Sequence, residues 1–338
     1  MKKLKKGLAF ISLLLVLTVV DELSYKNSES FSTAISAAVE SEESYIKWIE
    51  FTPTQEALSY AALLDIKSYN TDSHLKMYEL LAIYSAITGG SYGKFKKSAL
   101  DSILSKYKEG ILPENMVTSV KLLNYYTEAY AAILGSFIGE YWVMSGNGEI
   151  GTEKKYGLRV FSPIAKNHAY SHYDDFGASR SYGYKRRHLG HDIMGSIGTP
   201  VIAIESGYVE ACGWNQYGGW RIGIRSFDGL RYYYYAHLRK GHPYNDIYEG
   251  KLINAGEVIG YLGMTGYSPI KDTNNINVPH LHLGMQIIFD KSQKDGSNQI
   301  WIDLYEIAKF LYAQRASVYK SENDYFSSFS VLYAETPE

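Results

Sequence analysis

A chain of 338 residues with 46% hydrophobic content is long enough for about two globular domains with sizeable cores. Its 34 basic and 36 acidic residues nearly cancel, which excludes the strong positive field of a nucleic-acid binder and predicts no nucleic-acid partner. A single cysteine, Cys212, excludes an internal disulfide and a cysteine-rich zinc site, so any metal must be held by His, Asp or Glu. Cys212 itself sits in an apolar, strand-like run and reads as an inert, packed thiol.

The chain opens with MKKLKK followed by GLAFISLLLVLTVV, a basic cluster and fourteen apolar residues in the layout of a secretory signal. Residues 1–20 are therefore read as a signal peptide. Because Asp21 and Glu22 follow in place of a small-x-small cleavage site, a retained N-terminal membrane anchor is the second reading, although fourteen residues is short for a span. Both readings predict export.

Residues 46–144 read as a helical module. Glycines Gly89 and Gly90 close a helix from about Ser73 to Thr88, and Gly110 closes one whose Leu100, Ile103, Leu104 and Tyr107 share a face. A third runs from about Asn115 to Leu134 before Gly135. Its lone histidine, His74, reads as a surface residue. At Ser145 the helical period gives way to glycines, aromatics and short runs, which sets a domain boundary and predicts a β domain able to fold without the helices. Residues 145–187 read as a loop-rich connecting segment leading to the first histidine pair, close enough to that pair to lie across a cleft.

The runs PVIAIESGYVEACGW, RIGIRSF, LRYYYYAHL and EVIGYLGMTG are strand-length and bounded by turn residues, as in an antiparallel β domain spanning residues 188–290. In residues 291–320, WIDLYEIAKFLYAQRA places Trp301, Leu304, Tyr305, Ala308, Leu311 and Tyr312 in helical register and predicts a C-terminal amphipathic helix. Residues 321–338 read as a loose polar tail. The predicted class is a multidomain α + β protein.

Eight of the nine histidines lie between positions 168 and 282, inside or just before this β domain. In RRHLGHDIMG, His188 and Asp192 are four apart and point to one side, with Gly190 between them leaving room and His191 facing away. In VPHLHLG, His280 and His282 share one side of a strand, which allows one ligand and one catalytic group, or two ligands. His237 ends the strand RYYYYAHL. A competing cluster, His168 and His172 with Asp174 and Asp175, has helical spacing but a loop-like composition. No H-E-x-x-H occurs, which excludes the helical zinc-peptidase plan.

HLGHD, GTPVIAIESGYVEACGW, YYAHL and EGKLINAGEVIGYLGMTGYS followed by PHLH, in that order, resemble the M23 family of zinc metallopeptidases, of the lysostaphin and LytM type. The resemblance spans residues 188–289 and leaves the helices uncovered. It implies an antiparallel peptidase domain, to which the sequence pattern adds the C-terminal helix, with zinc as cofactor, His188, Asp192 and His282 as its ligands, and His237 with His280 as the catalytic pair. A two-histidine, one-aspartate set leaves the fourth position open, as catalytic zinc requires. The implied activity is endopeptidase hydrolysis of peptide cross-links in bacterial peptidoglycan, at the cell wall or the outer face of the cytoplasmic membrane. The competing class is a non-hydrolytic wall-binding or scaffold protein that keeps the metal site; the intact His237 and His280 favour the enzyme. The loop YSPIKDTNNINVP is longer than the family's glycine-proline approach, and Leu283-Gly284 stands where the family has Phe-Glu, so the resemblance does not fix which bond is cleaved.

Overall fold

The computed structural model describes residues 45–333 apart from residues 183 and 297. The signal or anchor reading of residues 1–20 lies outside these residues. From Ile46 onward the chain forms one compact unit.

Four helices come first: α1 (Gln55–Ser68), α2 (Met77–Thr88), α3 (Lys97–Lys108) and α4 (Val120–Leu134). Their ends follow capping chemistry. Thr54 and Ser119 accept backbone N–H groups at the starts of α1 and α4, and Gly89 closes α2 at φ 64°. Helix α4, expected from about Asn115, begins later than the periodicity suggested, because Pro113–Asn115 makes a separate 3₁₀ turn.

Strands β1 (Ile138–Ser145), β2 (Lys155–Leu158), β3 (Tyr170–His172), β4 (Ser179–Tyr182), β5 (Tyr184–Arg187) and β6 (His191–Gly195) follow. Next come β7 (Pro200–Ile202), β8 (Gly207–Asn215), β9 (Gly219–Ser226), β10 (Arg231–Ala236), β11 (Leu252–Ile253), β12 (Val258–Tyr261), β13 (His280–Ile287) and β14 (Ile300–Trp301). The chain closes with helix α5 (Tyr305–Leu311) and strands β15 (Val318–Ser321), β16 (Asp324–Ser327) and β17 (Phe329–Tyr333).

The main sheet has the order β11-β8-β9-β10-β13-β6-β3, with β14 added to β13, and its pairings are antiparallel. Alternation sorts its residues sharply. Ile193, Ile222, Ile224, Tyr233, Tyr235, Leu281, Leu283, Met285 and Ile287 are at most 1% exposed and form the core face. Asp192, Arg221, Arg225, Tyr232, Tyr234, His280 and His282 occupy the alternate positions and line the other face.

Three sequence expectations are corrected. The boundary at Ser145 falls inside the folded unit, because β1 is a strand within the segment read as helical, paired with β17 on one side and β2 on the other. Helices and sheet also share one apolar core, from Leu80 and Tyr130 to Leu281 and Met285. A buried ion pair joins them: Arg231 donates to Glu205 through Nε (2.8 Å) and Nη2 (3.1 Å) and through Nη1 to the Ala132 carbonyl at the end of α4. Second, the C-terminal helix is only Tyr305–Leu311. Ile300–Trp301 is recruited as an edge strand by β13, Asp303 caps the Tyr305 N–H (2.9 Å), and Arg315 leaves the helical path to donate to the carbonyls of Ile164, Ala165 and His168. Third, the tail is not loose: β16 pairs with β15, and β17 pairs with β1, where Val331 and Tyr333 are buried.

Candidate metal centre

Strand register assembles the site. In the β6–β13 ladder His282 lies directly opposite Asp192, and Ala236 of β10 lies opposite His282 from the other side. His188 enters from the turn before β6. Gly190 in that turn is required by space, since a Cβ there would stand 2.5 Å from His282 Cε1 and 2.7 Å from its Nε2. The gap left by the missing side chain holds the His282 ring rather than an ion. His237 follows β10 with φ 61°, in the left-handed region, its N–H bonded to the Gly218 carbonyl at 2.7 Å.

His188 Nε2, His282 Nδ1 and Asp192 Oδ1 form a triangle with sides of 2.9, 3.0 and 3.0 Å. Among the described residues this is the group of three or more His, Cys, Asp or Glu side chains placed to hold a metal ion. The triangle brings three lone-pair atoms together, and protons alone satisfy it poorly. A cation at its centre satisfies all three, and tetrahedral Zn–N and Zn–O bonds of about 2.0–2.1 Å require donor separations of about 3.3 Å, a small expansion of what is present. The ring orientation suits this role: Nδ1 of His188 donates to the Asp175 carbonyl at 3.1 Å, which turns Nε2 toward the triangle. The second oxygen of Asp192 accepts from Arg180 Nη2 (3.2 Å), which also donates to Asp175 (2.6 Å), so Oδ1 is turned inward.

The electrostatics of the buried group agree. Burial favours neutral Asp192, but hydrogen bonds from His188 and His282 outweigh it and hold the carboxyl well below the usual range. Burial lowers the His282 ring despite its bond to Asp192. His188 moves up, because the Asp192 contact overcomes its desolvation.

His237 and His280 face each other beside the triangle, with ring centroids 4.8 Å apart. Each donates Nδ1–H to a backbone carbonyl, His237 to Thr265 (2.8 Å) and His280 to Val278 (2.8 Å), which turns each Nε2 toward the cleft. His280 Nε2 lies 3.7 Å from Asp192 Oδ1. Burial, followed by the neighbouring His280 and His282, pushes His237 well below the usual histidine range and keeps it neutral. A cleft of about 250 Å³ opens above these groups. The β4–β5 hairpin reaches its rim through Arg180 and through Arg186, which donates to the Tyr267 hydroxyl (2.7 Å) and lies over the Tyr217 ring.

The competing cluster is dispersed. His168 packs on Tyr325, and His172 Nδ1 meets His191 Nε2 at 2.8 Å beneath the site. His191 faces away from the triangle, as its spacing implied, and burial followed by His172 lowers it to about 3. Asp175 serves the first cluster instead, as partner of His188 and Arg180. Sequence reasoning missed Arg180, which lies twelve positions before Asp192 and belongs to no spacing motif. His74, read as a surface residue, is bound to buried Asp65 at 2.8 Å and packs near Tyr156, tying α1 to β2.

Residues 186–299 match the family model described as "Peptidase family M23". The L-Ala–D-Glu endopeptidase of Bacillus subtilis is 41% identical over 126 residues, 36% of this chain and 36% of that protein. Lysostaphin of Staphylococcus simulans is 43% identical over 96 residues, 28% of this chain and 17% of that protein. The chain thus spans about a third or less of the length of these two relatives. A crystal structure from Ruminococcus gnavus, described as a lytM glycyl-glycine endopeptidase, superposes with TM-score 0.53 at 22% identity and covers 80% of this chain and 92% of that one. This likeness is one of fold, and it extends well beyond residues 186–299.

Proposed function

Residues 186–299 are a peptidase family M23 domain, and from this premise we propose that the chain is a zinc-dependent endopeptidase that hydrolyses peptide cross-links of bacterial peptidoglycan. The observation that carries the reading is the pairing of a buried His188, Asp192 and His282 triangle with two further histidines whose Nε2 atoms face the same cleft. A metal site kept only for stability has no use for that second pair.

In this reading His188, Asp192 and His282 hold the zinc. The ion supplies Lewis-acid polarisation of the scissile carbonyl and lowers the pKa of a water toward about 7. The protein supplies position and proton transfer. His237, neutral through burial and fixed by the Thr265 carbonyl, is the proton acceptor for the attacking water. His280, on the more open side and held by the Val278 carbonyl, donates toward the oxyanion or the leaving amine. Arg180 keeps Asp192 oriented. The name of the first relative, an L-Ala–D-Glu endopeptidase, supports a peptide of this kind as target, and a location outside the cytoplasm is in keeping with the basic and apolar residues 1–20. Among the described residues no helix is long and apolar enough to cross a membrane.

The test is digestion of purified cross-linked muropeptides followed by mass spectrometry. Dimers should become monomers with new free amines and no new reducing sugar ends. New reducing ends would mark a glycosidase, and no change with folded, zinc-loaded protein on several wall types would return the scaffold reading.

A further inference from the structure

The groove face of the main sheet continues past the metal centre. Beyond the His282 ring a second cavity of about 450 Å³ shares Leu189, Tyr234 and His282 with the cleft and extends over β13, β10 and β9. Strand alternation places Arg221 and Arg225 on its floor. Two glycines let aromatic rings lie flat against that floor: a Cβ at Gly223 would strike Tyr232, and one at Gly284 would strike Trp301 at 2.6 Å.

The charges lining this cavity do not all find partners. Glu210 is engaged by Arg225 Nε at 2.7 Å and Lys294 Nζ at 2.8 Å, and Asp295 stands at the exposed rim. Arg225 also gives Glu210 its Nη2 at 3.2 Å and lies over the Tyr232 ring, so its guanidinium is engaged. Among the described residues Arg221 forms no ion pair. A guanidinium lining a partly enclosed cavity without an anion is poorly compensated, and the acceptor that fits the planar fork of Arg221 is a carboxylate.

We propose that this cavity is a subsite for a peptide carboxylate, with Arg221 as the specificity-determining residue for the peptide substrate. The proposal rests on the peptidase reading and narrows its substrate class. It favours peptides with an acidic residue, or a nearby free C-terminus, over neutral peptides of the same length.

The experiment uses the full chain with synthetic peptides matched except that glutamate and glutamine are exchanged position by position, each with an acid or an amide C-terminus. Cleavage is read as kcat/KM, and binding is read separately by calorimetry on the His237→Ala variant. One acidic position, or the free terminus, should raise kcat/KM and affinity on the order of tenfold over its neutral match, the factor expected of a charge-assisted hydrogen bond. Arg221→Gln should bring the acidic peptide down to the level of the neutral one, and Arg221→Lys, which keeps the charge without the fork, should fall between. Which arm responds tells a side-chain carboxylate from a terminal one. Equal cleavage and binding of acidic and neutral peptides by the wild-type chain, or a preference unchanged in Arg221→Gln, would overturn the subsite. An Arg221-dependent binding preference without any cleavage would keep the subsite and reject the peptidase.

Discussion

His280 and His282 lie two residues apart on one strand face, and strand register separates what they can do. His282 faces Asp192 across the β6–β13 ladder with its Nδ1 3.0 Å from the carboxylate, whereas His280 faces Met194 with its Nε2 3.7 Å away. Spacing could place both rings on the cleft side but could not choose between them; the choice came from resemblance. Arg180 was not legible at all, because its role arises from a hairpin folding back onto the site. His188→Ala, Asp192→Ala and His282→Ala are expected to lose zinc and hydrolysis together. If His237 and His280 have the catalytic roles proposed, His237→Ala and His280→Ala should keep zinc while losing most of kcat, the signature of groups that act on the transition state. Elemental analysis beside single-turnover rates checks this; stoichiometric zinc in His282→Ala with loss in His280→Ala would reverse the pair.

At the scale of elements, the helices and the strands of the main sheet were legible from period and alternation, because each buries one face. Their ends and pairings were less so. In the tail β15 and β16 pair with each other, and β17 gains order by pairing with β1, a partner nearly two hundred residues away in sequence. The joint between α4 and the sheet was invisible for the same reason, since Arg231, Asp228, Glu205 and Ala132 meet only in the fold. Burial acts to raise the Asp228 carboxyl, yet Arg231 outweighs it and the folded value is lowered. Asp228 therefore contributes stability above its unfolded value of about 3.9, and that contribution is lost as pH falls through the lower folded value. Urea midpoints measured from neutral to acid pH should fall less steeply in Asp228→Asn than in the parent chain. Arg231→Met, which leaves Glu205 charged and unpaired in the core, should cost about 3–5 kcal/mol at neutral pH. A midpoint within error of wild type would show that the pair does not join the layers.

For the molecule as a whole, the composition shift at Ser145 suggested separable parts, but the core runs through both. Deleting residues 46–134 would expose the packed face of the sheet and remove the Ala132 acceptor of Arg231. The fragment is expected to aggregate or unfold without cooperativity, and a soluble, cooperatively melting, zinc-loaded fragment would contradict the shared core. The central claim is that hydrolysis depends on one zinc ion held by His188, Asp192 and His282. Its most direct measurement is a zinc titration of the chelated full chain, with bound metal and muropeptide cleavage followed in parallel. Both should rise together and saturate at one equivalent per chain. Undiminished cleavage by the zinc-free chain, or full occupancy of the site with no cleavage of any wall peptide, would contradict the account.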